Sequence, residues 1–242
     1  MSFVSASFSA THVGHIRKYN EDSFLDKPEA NLWVIADGMG GHDAGDVASQ
    51  SIVASMNQCS FADPTISAEE STKKLKLSLY NTNSSLIKLG NENDRINGST
   101  VVVMHIVNGE CHFLWAGDSR LYLLRDQELT QLTRDHSQAE VYVDLGMLSR
   151  DEASRHSSAN VLTRCIGTDD DLRLETGMID LNVGDRFLLS SDGLDKHVPH
   201  SVIEETLNTY DREEAVQKLI RLALNDGGTD NITVSIVDIM AE

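Results

Sequence analysis

The sequence is poor in the features that mark membrane, secreted or nucleic-acid-binding proteins. Its longest uninterrupted apolar run, Leu32 to Ala36, falls far short of the ~20 residues that cross a bilayer as a helix. The segment Met1 to Thr11 is serine-rich, without a basic start or a long apolar stretch, so no signal peptide is expected. Only 3 prolines punctuate 242 residues. With no linker, repeat or low-complexity stretch besides, a single domain over residues 1–242 is expected. The 3 cysteines, Cys59, Cys111 and Cys165, are far apart and form no C-x-x-C pair. Buried free thiols in a reduced, cytoplasmic protein are expected. Positive charge is scarce as well: 20 Lys and Arg face 38 Asp and Glu, a net charge of -18. Such a chain repels nucleic acid and anionic membrane, so neither is an expected partner. The serine-hydrolase elbow G-x-S-x-G is absent. The glycine-rich stretch after Asp37 lacks both the G-x-G-x-x-G spacing, with Asp43 in the place of the third glycine, and the lysine of a P-loop.

What is present is an ordered set of apolar runs. Strands are expected near Phe3–Thr11, Asn31–Ala36, Thr100–Val107, Cys111–Ala116, Leu121–Arg125, Arg186–Ser190 and Ile232–Ile239. Asn108-Gly109 between two of them predicts a tight hairpin. Helical spacing joins Leu75, Leu79, Thr82, Leu86 and Leu89, and again Ala215, Leu219 and Leu222 or Ala223, with Asp211 and Glu214 as cap and first-turn acid. Val47, Ser51, Ile52, Ser55 and Met56 predict a helix after the glycine-rich loop. Ser149 and Glu152 form a capping-box pattern before a short one. This order suits helices packed on antiparallel sheets better than a regular βαβ alternation.

Three apolar runs end alike. Leu32–Ala36 delivers Asp37-Gly38, Phe113–Gly117 delivers Asp118-Ser119, and Phe187–Ser191 delivers Asp192-Gly193. A fourth carboxylate, Asp230, precedes the last run. A single Asp-Gly reads as a turn. Three acids at the exits of buried strands, flanked by small residues, read better as a cluster. Clustered carboxylates repel one another unless protonated or neutralised by cations, and oxygen donors suit Mg²⁺ or Mn²⁺ rather than Zn²⁺. Arg17, whose planar fork matches phosphate oxygens, stands near Glu21 and Asp22 in Arg17–Asp22. The run Asp169-Asp170-Asp171 lacks EF-hand spacing and reads as a solvated loop.

These residues fall into an ordered series: R-x-x-N-E-D (Arg17–Asp22), D-G-M-G-G-H (Asp37–His42), G-S-T (Gly98–Thr100), A-G-D-S-R (Ala116–Arg120), L-T-R-D-H-S (Leu132–Ser137), L-T-R-C-I-G (Leu162–Gly167), S-S-D-G-L (Ser190–Leu194) and G-G-T-D-N-I-T (Gly227–Thr233). Each string is weak alone; together, in order and over nearly the whole chain, they are specific. The series resembles the metal-dependent protein phosphatase family (PPM, type 2C) in its compact bacterial form.

The resemblance implies an α+β fold, a four-layer αββα sandwich with a binuclear metal site at one end of two antiparallel sheets. It implies Mn²⁺ or Mg²⁺ as cofactor, two ions with a third beside them. Asp37 would bridge the two, the Gly38 carbonyl would bind one, and Asp192 and Asp230 would bind the second. Asp22 and Glu21 would support the first, largely through bound waters, and Asp118 would hold the third ion with Asp192 shared. Arg17 would clamp the substrate phosphate, and a flap over about 137–160 would lie beside the site. The reaction implied is hydrolysis of phosphoserine and phosphothreonine by direct attack of a hydroxide held between the ions. The substrates implied are phosphoproteins of a cognate bacterial Ser/Thr kinase, and some such relatives belong to secretion loci.

Two positions depart from the family pattern. Met39 stands where some relatives carry a histidine, which leaves protonation of the leaving group to a metal-bound water. Lys196 stands where some place a further acid for the third ion, with Asp195 one residue earlier. His42 and His136 read as structural. Among rivals, the cysteine-based phosphatases need an arginine six residues after the nucleophile, and the chain has Thr65, Gly117 and Asp171 at those positions. The G-D-x-H and G-N-H-E strings of calcineurin-like enzymes are absent. A small-phosphoester hydrolase would need a base- or sugar-binding motif, and none is evident. The remaining rival is a catalytically weak regulator of the same fold that binds phosphoproteins, and the survival of Asp37, Asp192 and Asp230 argues against it.

Overall fold

The computed structural model describes residues 3–40, 44–61, 66–153 and 156–242. His42 lies outside the described residues. Two antiparallel sheets stand face to face. The first orders its strands β1 (Phe3–His12), β11 (Ile232–Ala241), β10 (Arg186–Ser190), β7 (Arg120–Arg125) and β8 (Glu128–Gln131). The second runs β2 (Asp22–Lys27), β3 (Leu32–Met39), β5 (Val101–Val107), β6 (Glu110–Ala116) and β9 (Glu175–Asp180), with the two-residue β4 (Gly98–Ser99) beside the end of β3. The helices are α1 (Ala44–Asn57), α2 (Ala68–Asn93), α3 (Gln138–Asp144), α4 (Arg150–Ala153), α5 (Asp192–Asp195), α6 (His200–Thr209) and α7 (Arg212–Asn225).

Side-chain alternation explains why these antiparallel strands read as continuous apolar runs. Leu32, Val34 and Ala36 of β3 face a core built with α1 and α2, through Ile52, Met56, Leu75 and Leu79. Trp33 and Ile35, on the opposite face, pack between the sheets against Met104, Leu121, Phe187 and Val237. On the other sheet Leu188, Val234 and Ile236 face α6 and α7 through Ile203, Leu207, Leu219 and Ala223. Successive strand residues point to opposite faces, so strands buried on both faces must be apolar throughout. The three cores are the three interfaces of a four-layer αββα sandwich, as expected.

All seven expected strands form, each to within a few residues. The hairpin at Asn108-Gly109 forms with both residues at positive φ, 53° and 82°, the geometry of the tight turn. Ser67 caps α2 in a reciprocal capping box with Glu70, and Asp211 caps α7 by accepting the Glu214 N–H. Ser149 and Glu152 make the expected box at α4. Of the expected helical stripe, Leu89 is only half-buried while Gly90 takes the inner position. One expectation about the thiols is corrected. Cys111 and Cys165 are buried, but Cys59 is half-buried, because it follows the end of α1, where the chain leaves the core.

Candidate active site

One end of the sandwich collects the acids. Asp22 opens β2 and lies directly opposite Asp37 of β3 in the strand register. Like charges placed so destabilise a sheet. Asp192 begins α5, immediately after β10, and Asp230 lies two residues before β11. Asp118 sits in the turn from β6 to β7. Two sheets and their connections therefore deliver Asp37, Asp118, Asp192 and Asp230 to one cleft of about 570 Å³, which Arg17, Glu21, Gly38, Met39 and Lys196 also line. Asp22 stands behind this lining, 6 % exposed. A second hollow, of about 650 Å³, is lined by Lys27, Asn31, His105 and Phe61 at the far ends of β2 and β5 and gathers no acid cluster.

Small polar side chains hold the acids in place. The Asp37 N–H donates to Thr100 Oγ1 at 3.0 Å, and Thr100 shares a 2.7 Å hydrogen bond with Ser119, next to Asp118. Asp22 Oδ2 accepts from Ser191 Oγ at 2.8 Å and Thr233 Oγ1 at 2.6 Å, two bonds that cross from one sheet to the other. Asn231 pins the loop before β2, accepting the Glu21 N–H at 2.8 Å and donating to the carbonyls of Val13 and Tyr19. The Glu21 carboxylate accepts the Gly45 N–H at the start of α1. At Gly38 an added Cβ would lie 2.1 Å from the Gly45 carbonyl oxygen, so no side chain fits there. His136 is structural, as expected: its Nδ1 accepts the Gly117 N–H at 3.1 Å, and its ring stacks on Trp115. Met39 packs over Gly98.

The electrostatics are those of a site short of positive charge. Burial, reinforced by neighbouring carboxylates, pushes Asp22 up to about 7 and Asp118 up to about 8. Asp37 is raised well above the usual carboxylate range by burial and by Asp22, Asp192 and Asp118. Asp192 is raised by burial against the pull of Lys196. Asp230 alone is lowered: burial pushes it up, but Lys196 and Arg17 outweigh that. Two carboxylate oxygens, Asp22 Oδ1 and Asp192 Oδ1, are buried with no hydrogen-bond partner. An orphaned buried carboxylate oxygen is costly, and hard divalent cations are its natural partners.

Two expected roles look different in this structure. Arg17, expected to clamp a phosphate, grips Asp230 side-on through Nε and Nη2, at 2.8 Å and 3.0 Å. Its side chain is still 50 % exposed and borders the cleft. Asp195, one residue before the position where some relatives place a further acid for the third ion, bonds Tyr122, Arg120 and Ser190 instead. Lys196, whose role sequence reasoning missed, reaches into the acids. Among the described residues no group of three His, Cys, Asp or Glu side chains closes around one ion position. Lys196 and Arg17 hold two of the acids, and sites for Mg²⁺-like ions draw several ligands from water and backbone carbonyls. The segment expected to form the flap begins at Ser137, which caps α3 and bridges to Leu162, and Arg134 ties the segment down through Glu140 and Asp144. Asn160 and Leu162 reach the cleft. Asp169–Asp171 form an exposed loop, as expected.

The family model described as Protein phosphatase 2C matches residues 13–226. The chain belongs to this family, the metal-dependent phosphoprotein phosphatases. It is 32% identical over 237 residues to Protein phosphatase PhpP of Streptococcus pneumoniae, with 96% of each chain covered. It is 34% identical over 236 residues to Serine/threonine phosphatase stp of Listeria monocytogenes, covering 94% of this chain and 93% of that one. Among solved structures it superposes on PppA of Pseudomonas aeruginosa, described as a key regulatory component of T6SS, with a TM-score of 0.91 at 37% identity, over 99% of this chain and 100% of that one. The catalytic domain of the serine/threonine phosphatase PstP, solved with 2 manganese ions, gives a TM-score of 0.85 at 32% identity, over 99% and 100%. No helix among the described residues is long and apolar enough to cross a membrane.

Proposed function

We propose that the chain is a serine/threonine protein phosphatase whose two Mn²⁺ or Mg²⁺ ions are held by Asp37, the Gly38 carbonyl, Asp192 and Asp230. Asp22 and Glu21 support that set, and Asp118 lies beside it. The observation that carries this reading is the convergence of Asp37, Asp118, Asp192 and Asp230 in one cleft, with Asp22 buried behind them and two carboxylate oxygens orphaned. When bound, such a pair of ions supplies positive charge and acidifies water near neutral pH. The residues of the chain do the rest. Buried carboxylates fix where positive charge can sit, and the Ser191, Thr233 and Thr100 hydroxyls fix the carboxylates. Arg17 stands at the rim, able to trade Asp230 for two phosphate oxygens, a geometry its fork suits. The open, polar cleft has room for a phosphorylated side chain on a protein surface.

Phosphoproteins made by a cognate Ser/Thr kinase are the proposed substrates, and a cytoplasmic setting goes with them. Likeness to PppA, a regulatory component of T6SS, supports a regulatory role of that kind. The test is phosphate release from a phosphothreonine peptide with Mn²⁺, with Mg²⁺ and with EDTA, beside Asp37→Asn and Asp192→Asn. Metal-dependent release that nearly vanishes in both variants is expected. No release from a folded wild-type protein under any metal would replace this reading with that of a phosphoprotein-binding regulator.

A further inference from the structure

Lys196 lies outside the expected ligand set, yet it makes two close contacts with the acids of the cleft. Its Nζ is 2.5 Å from Asp192 Oδ2 and 2.9 Å from Asp230 Oδ2. An exposed lysine one helical turn from an aspartate would ordinarily contribute little. This one bridges two acids from different elements, and its side chain is only 27 % exposed. Those two acids are the pair proposed for the second ion, so the argument rests on that reading. On Asp192 the ammonium takes Oδ2 and leaves Oδ1 buried and unpartnered.

We infer that Lys196 is a tethered competitor of the divalent cation: its ammonium holds the Asp192–Asp230 pair in the ion-free chain and must leave before one ion can bind both. The lone pairs that accept from the ammonium are those an ion would use. A single and a double positive charge at this separation, shielded from water, repel strongly. The displaced side chain has a second acidic place to go, because Lys196 also borders the neighbouring hollow with Asp118, Asn160 and Asp195. While the ammonium is docked the acids repel one another less. The cost is affinity, since apparent binding falls by the fraction of time the pair is free.

The test combines Mn²⁺ titration calorimetry on wild type and Lys196→Met with acylation of the Lys196 amine, read by mass spectrometry. In Lys196→Met the weaker of the two ions is expected to bind about tenfold or more tightly, and the Tm of the ion-free protein to fall. In the wild type, Lys196 is expected to be acylated slowly without Mn²⁺ and faster at saturation. Unchanged Mn²⁺ affinity in a folded Lys196→Met protein, or acylation that Mn²⁺ does not change, would overturn the inference while leaving the two-ion reading intact. If the variant does not fold, acylation of the native chain decides alone. No Mn²⁺ binding to either protein would refute the two-ion reading and this inference with it.

Discussion

At the scale of single residues, most of the site is built from side chains that touch no substrate. Asp22 is held by hydroxyls of Ser191 and Thr233 from the opposite sheet, and Asn231 knots the Arg17 loop to the start of β11. Arg17 differs, because its guanidinium is half exposed and the acid it grips, Asp230, is also held by Lys196. Removing it should therefore act mainly on binding. Arg17→Ala is expected to raise KM about tenfold or more with kcat changed only a few-fold, the size of a lost charge-assisted pair of hydrogen bonds. Steady-state kinetics on a phosphothreonine peptide checks this, and an unchanged KM and kcat would remove Arg17 from the site.

At the scale of elements, the turn that carries Asp118 depends on His136. The His136 ring accepts the Gly117 N–H and stacks on Trp115, while the His136 backbone N–H donates to the Gly117 carbonyl. Gly117 has no latitude of its own, with φ at 113° and Thr100 filling the space a Cβ would need. His136→Ala is expected to cost roughly 1–3 kcal/mol through the orphaned amide, seen as a lower Tm. Activity should fall without being abolished, because Asp37, Asp192 and Asp230 are untouched.

The same scale shows what was legible beforehand. The strands with continuous apolar runs were readable because both their faces are buried, and the half-buried β1 was readable by its alternation. Three strands longer than two residues were not. β2 reads Asp-Ser-Phe-Leu-Asp-Lys, and its half-buried Asp26 is satisfied by bonds from Ser7, Ser9 and Trp33, which no local pattern announces. β9 exposes alternate residues at a sheet edge. β8 follows a tight turn at Asp126-Gln127, where two non-glycine residues adopt positive φ, so the usual glycine signal is missing. The acids themselves were legible as strand exits. Lys196 was noticed only as a departure, because its contact with Asp230 joins residues 34 positions apart.

At the scale of the whole molecule, the carboxylates make stability depend jointly on pH and on cations. Asp22 and Asp37 belong to one sheet, while Asp192 and Asp230 flank strands of the other. Repulsion within the cluster therefore works between the sheets, and a shared cation works across the same gap. In the ion-free protein Asp22 and Asp118 titrate at about 7 and about 8, above the ordinary value of 3.8 that they regain on unfolding. An acid raised on folding binds its proton more tightly in the folded state. Its contribution is fully present below the unfolded value and is lost as pH rises through the folded one. With EDTA, the cluster's contribution to Tm is thus expected to fall as pH rises from about 4 through about 8. Mn²⁺ binds the ionised acids, so its stabilisation should grow over that interval, reaching about 2.7 kcal/mol per site when free ion exceeds Kd a hundredfold. Thermal melts across pH, with Mn²⁺ and with EDTA, separate the two curves. They should converge at acid pH and part as the carboxyls ionise, and parallel curves would mean that the cluster holds no ion.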